Sequence, residues 1–82
     1  MQIREAQDFI KEKYFGKDSL RGLFKSFTWL VEEVGKLGEA LLKGSYKDIQ
    51  GEIADVMAWT LSLANLVGLD AEKAFKEKYG LN

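Results

Sequence analysis

The sequence predicts an all-α protein, an antiparallel helical bundle of about four helices completed by homo-oligomerisation. Three observations lead there. The 82 residues include no proline, so only the eight glycines interrupt helix formation. Apolar residues recur every three or four positions over most of the chain. There is no cysteine or histidine to staple a small core. A domain of this size buries only roughly 60 to 65% of the surface its unfolded chain exposes, so association with further copies is the expected source of extra burial. The chain is read as one domain, residues 1–82.

The first helix is expected from Ile3 to about Tyr14, with Ile3, Ala6, Gln7, Ile10 and Tyr14 at helical spacing and Gly16 as its stop. Asp18 or Ser19 then caps a second run. Leu20, Leu23, Phe24, Phe27, Leu30, Val31, Val34, Leu37, Leu41 and Leu42 carry it to Gly44, either as one helix of seven turns or as two helices bent near Gly22. After a turn at Gly44-Ser45, a third helix runs from about Tyr46 to Val67, with Ser45 and Asp48 forming a weak capping box and Gly68 closing it. Asp70 caps a last helix to about Tyr79. Its final turn carries Lys76 and Lys78, the sign that the helix dipole favours there.

Composition removes whole classes of chemistry. Without His or Cys there is no histidine base, no cysteine nucleophile and no ordinary zinc, iron–sulfur or thiolate-haem site. Reaction chemistry is left to carboxylates, Lys, hydroxyls and a bound hard cation. A net charge of -1 offers no field that would gather nucleic acid or anionic lipid, so neither is expected as a partner. Arg4, Glu5, Asp8, Lys11 and Glu12 interrupt any apolar run near the start, and no stretch is long and uncharged enough for a bilayer. A cytoplasmic protein is expected.

The third helix is unusual because it is apolar almost all round between Ile53 and Val67, which predicts burial on most sides. Against that background Glu52, Asp55, Trp59, Ser62 and Asn65 form one slowly drifting polar stripe, and a polar stripe on a buried helix requires partners. Glu52 and Asp55, three residues apart, present two carboxylates on one face. The second helix carries Glu32 and Glu33, with Trp29 one turn before Glu33 as Trp59 is one turn after Asp55. If the two helices are antiparallel, the carboxylates meet across the gap, where unpaired negative charge is costly unless a cation fills it. With oxygen ligands only, Mg²⁺ or Mn²⁺ is the natural ion, and its liking for phosphate oxygens points to a phosphate ester or anhydride as substrate.

A plainer reading exists for each of these residues. Charged residues at helix starts are ordinary, Glu32 and Lys36 form an i, i+4 surface pair, and tryptophans are often core residues. Lys73, Lys76 and Lys78 suit a solvated face. Gly35 and Gly38 suggest close helix approach. Asp55 weighs against the plain reading, because it sits well inside an apolar helix where an unpaired carboxylate is expensive.

The stretch from Phe27 to Leu41, with Glu32-Glu33 inside it, and the stretch from Gly51 to Trp59, with Glu52 and Asp55, resemble the MazG-type nucleoside triphosphate pyrophosphohydrolases. These belong to the all-α NTP pyrophosphatases, with dimeric dUTPases and phosphoribosyl-ATP pyrophosphatases, whose signature is EExxE followed by ExxD. The resemblance covers essentially the whole chain. It implies a dimeric or tetrameric helical bundle that binds Mg²⁺ and cleaves between the α and β phosphates, giving a monophosphate and pyrophosphate.

Carried over by position, Glu32 and Glu33 match the leading pair, and Glu52 and Asp55 the second motif. The last Glu of EExxE falls on Lys36. The resemblance thus implies a metal cage of Glu33, Glu52 and Asp55 that has lost one ligand, with Glu32 orienting the attacking water. Glu39 is no substitute, lying six residues beyond Glu33, about 9 Å along the axis and about 120° round it. For the nucleoside triphosphate, Trp29 or Trp59 is expected to stack on the base, Lys25, Lys76 or Lys78 to bind phosphate across a protomer boundary, and Lys36 to contact the phosphates directly. Two other readings remain open: a non-catalytic nucleotide sensor or interaction module, with Lys36 as its cause, and a purely structural helical dimer.

Overall fold

A computed structural model of the chain describes residues 1–81. Four helices follow one another: α1 (Ile3–Arg21), α2 (Leu23–Lys43), α3 (Tyr46–Leu66) and α4 (Ala71–Tyr79). No strand occurs among the described residues. The all-α expectation holds. α2 and α3, each 21 residues long, form an antiparallel hairpin, α1 lies mainly against α3, and α4 turns away from α3 by 103° to rest on α1.

The joints explain the element boundaries, and one of them corrects the sequence reading. α1 does not stop at Gly16 but continues through it to Arg21, and Asp18 and Ser19 lie inside the helix rather than capping the next one. A mid-helix glycine costs only about 1 kcal/mol relative to alanine, which tertiary contacts can outweigh. The break falls instead at Gly22, whose φ of 93° is open to glycine and strained for other residues. Its N–H donates to the Asp18 carbonyl at 2.9 Å and its carbonyl accepts from the Ser26 N–H at 3.1 Å. A single residue therefore ends α1 and starts α2. At the next joint Gly44, in the left-handed region, ends α2, and Ser45 caps α3 by accepting from the Asp48 N–H. Asp70 caps α4, accepting from Lys73.

The chain forms a slab measuring 36 × 34 × 19 Å, barely two helix diameters thick. So thin a body encloses little: Ile10, Ala40 and Ala64 are the buried apolar residues among those described. The expectation that α3 is buried on most sides is not met within one chain, because neighbours cover only part of its circumference. Ile53, Asp55 and Met57 are exposed. Gly35 and Gly38 likewise have no close neighbour, since a Cβ at either would meet nothing within 4 Å. Residues of all four helices, among them Phe24, Phe27, Met57, Val67, Phe75 and Tyr79, instead line an open apolar groove of about 1110 Å³.

One polar knot locks α1 to the α3–α4 corner. The buried Gln7 donates to the Asn65 side chain at 3.0 Å and to the Leu69 carbonyl at 2.7 Å, and accepts from the Ala71 N–H at 2.9 Å. Asn65 donates back to the Gln7 carbonyl. This is where the last residue of the α3 stripe finds its partner, as a buried amide must.

Candidate active site

The antiparallel α2–α3 hairpin brings Glu33 of α2 opposite Glu52 and Asp55 of α3. One carboxylate oxygen from each lies within 4.8 Å of the others. Oε2 of Glu33 and Oε2 of Glu52 are both buried and have no hydrogen-bond partner. Two carboxylate oxygens without donors, held toward each other, are costly unless a proton or a cation lies between them. The Glu52 carboxyl shows that strain: its pKa is raised, chiefly because a proton on it bridges to Glu33, and further by burial and by the charges of Glu33 and Asp55. An all-oxygen site of this size suits a hard divalent ion, whose trans ligands stand about 4.2 to 5 Å apart. Glu33, Glu52 and Asp55 therefore fit a cation.

Lys36 adjoins the cluster from within α2. Its Nζ lies 3.4 Å from Glu33 and 3.5 Å from Glu32, both on Oε1. Its pKa is raised, first by the hydrogen bond to Glu33 and then by that carboxylate's charge. Glu32 is half-exposed on the solvent side of this pair, whereas the Glu33 side chain is only 12% exposed. The two adjacent glutamates thus have different environments, one open to water and one turned into the cluster. Beyond Lys36, a small cleft of about 160 Å³ runs past Glu39 and Lys43.

One turn from the carboxylates, on the other side, Trp29 and Trp59 stack with centroids 6.4 Å apart and planes 15° from parallel. The helix-turn spacing that puts Trp29 before Glu33 and Trp59 after Asp55 makes this pairing a direct result of the antiparallel hairpin. Lys25 is exposed a further turn before Trp29. The C-terminal lysines are placed elsewhere: Lys76 pairs with Glu72 at 3.5 Å on its own helix and Lys78 lines the apolar groove. Neither pairs with the cluster among the described residues.

Sequence reasoning missed one group here. Asp18, expected as a cap, is 3% exposed and accepts from the Arg21 guanidinium at 2.7 Å, which in turn sits 5.1 Å from the centre of the Trp59 ring. The i, i+3 spacing of Asp18 and Arg21 was visible in the sequence. Their position against a tryptophan 38 residues away was not.

A family model for the MazG nucleotide pyrophosphohydrolase domain matches residues 24–79, which hold all but the first residue of α2, all of α3 and α4, and Glu32, Glu33, Glu52 and Asp55. No curated protein gives a match. The match takes in well over half of the chain, and the protein belongs to the MazG nucleotide pyrophosphohydrolase domain family.

Proposed function

We propose that the protein is a Mg²⁺-dependent nucleoside triphosphate pyrophosphohydrolase, acting as a homo-oligomer in clearing nucleotides from the pool. The observation that carries this reading is the pair of buried, unpartnered oxygens on Glu33 and Glu52, with Asp55 completing the set. Glu33, Glu52 and Asp55 hold the ion, with Mn²⁺ as a substitute for Mg²⁺. When bound, it neutralises phosphate charge and lowers the pKa of nearby water. Glu32, close to the cluster yet open to solvent, orients the attacking water and takes its proton. Trp29 and Trp59 receive the base. Lys36 lies on the phosphate side, and Lys25 flanks the tryptophans. Lys76 and Lys78 reach phosphate only from another protomer, because in their own chain they lie apart from the cluster.

Homo-oligomerisation is supported by the groove and by exposed apolar residues such as Phe24, 82% accessible, and Met57, 60% accessible. Incubating the protein with a panel of nucleoside triphosphates and Mg²⁺, and measuring pyrophosphate, tests the activity. Release of pyrophosphate from at least one nucleotide, lost in Glu52→Gln, is expected; no release from any of them overturns it.

A second reading is favoured by one specific observation, the ion pair of Lys36 with Glu33 at 3.4 Å. A resident cation that satisfies the cluster makes the chain a nucleotide-binding module without turnover. Nucleotide binding with no pyrophosphate release in the same assay selects it.

A further inference from the structure

Asp18 is almost fully buried, and a buried carboxylate needs a specific partner. Its partner is Arg21, in the last turn of α1, outside the 24–79 stretch that carries the acidic motifs. The ion pair uses one guanidinium nitrogen; the other N–H groups have no hydrogen-bond partner among the described residues. The Arg21 side chain remains 23% accessible and rests on the Trp59 ring, which itself stacks on Trp29. A planar donor fork is therefore held over the Trp59 ring, its central carbon 5.1 Å from the ring centre, and Trp59 itself follows Asp55 by one turn of α3.

We propose that Arg21, positioned by Asp18, reads the base of the nucleotide, so that among purines the site takes guanine over adenine. The inference rests on the nucleotide site proposed above. Guanidinium offers donors only. The O6 and N7 atoms of guanine are two adjacent acceptors that match this fork, whereas adenine sets an amino donor beside N7 and opposes it. Stacking on tryptophan is tolerant of base identity, so the discrimination falls to the polar edge. Asp18 is a positioning residue: it holds the fork over the Trp59 ring and takes up one donor, leaving the rest for the base.

The test uses α,β-methylene analogues of GTP and ATP, which the proposed cleavage cannot break, with Mg²⁺ and the full chain, read by tryptophan fluorescence and calorimetry. Tripolyphosphate serves as a ligand without a base. The wild type is expected to bind the GTP analogue about tenfold more tightly than the ATP analogue. Arg21→Lys keeps Asp18 paired but loses the fork, and should erase that preference without changing tripolyphosphate affinity or Tm. Asp18→Asn should reduce the preference and likewise spare tripolyphosphate. Equal affinity for the two analogues in the wild type, or a preference that survives Arg21→Lys, overturns the role of Arg21 and leaves the pyrophosphohydrolase reading standing. Loss of tripolyphosphate binding in Arg21→Lys overturns it too, making Arg21 a phosphate ligand. If no analogue binds to the wild type at all, both readings fall together.

Discussion

Lys36 Nζ stands 3.4 Å from Oε1 of Glu33, the same carboxylate whose Oε2 is buried without a partner. The cluster thus has a positive charge of its own where the MazG motif, by the resemblance of this sequence, places a third glutamate. Lys36→Glu exchanges that charge for a ligand and is expected to tighten Mg²⁺ or Mn²⁺ binding by about tenfold or more. Pyrophosphate release should accelerate if metal occupancy limits it. Without metal the variant should melt lower than wild type, because a further carboxylate joins Glu32, Glu33, Glu52 and Asp55. Calorimetric titration with Mn²⁺ and thermal melting with chelator check both halves. Unchanged metal affinity combined with lost nucleotide binding would show that Lys36 serves phosphate instead.

Asp55 makes no ion pair among the described residues and is exposed. Asp55→Ala should therefore abolish metal binding while the metal-free fold keeps its stability to within about 0.5 kcal/mol or gains some. In an internal salt-bridge network the same change would strand a buried cation at a cost of roughly 3 to 5 kcal/mol. Chemical denaturation in chelator distinguishes the two outcomes, and a loss of the second size would rule out the metal cage.

Metal affinity should depend on pH through Glu52. Its carboxyl is raised above the ordinary 4.5 in the folded chain, first by the bridging proton to Glu33. The folded state consequently binds this proton more tightly than the unfolded state does. The resulting penalty on folding is absent below the ordinary value and fully present above the raised one, so the metal-free protein gains stability as pH falls through that interval. A cation competes for the same oxygens. Affinity for Mn²⁺ should fall, and protons released per ion should rise, as pH is lowered toward the ordinary carboxylate range. Calorimetry in buffers of different ionisation enthalpy counts those protons; a flat profile would contradict the shared-proton geometry.

The slab should not persist alone. With groove residues such as Phe24 and Met57 open to water, the protein is expected to be a dimer or tetramer at micromolar concentration. Met57→Glu, which places a charge on that face and spares the carboxylates, should shift it toward monomer. Light scattering checks this, and a wild-type monomer throughout the micromolar range would refute it.

Much of this architecture was legible in the residues. The three-to-four spacing from Leu23 to Leu42 and the polar stripe from Glu52 to Asn65 follow from the helix period, and an antiparallel hairpin turns them into facing carboxylates and facing tryptophans. What escaped depended on information that spacing does not carry. Gly16 and Gly22 are the same residue type, and only the positive φ at Gly22 separates a tolerated helical glycine from a joint. Asp18 looked like a cap because caps and buried ion-pair partners draw on the same side chain. The exposure of α3 depends on how many neighbours one chain can place around it, a tertiary quantity that an all-round apolar pattern does not contain.

The cage from Glu33 to Asp55 is drawn from one continuous stretch, folded back on itself through the two-residue turn at Gly44-Ser45. Its closure therefore requires only a short loop search, and neither α1 nor α4 supplies a carboxylate to it. The short turn keeps the entropy lost in forming the hairpin's contacts small. All the carboxylates that would hold a cation therefore lie within a hairpin of two helices, so binding it would fasten α2 to α3 without requiring α1 or α4 to be in place.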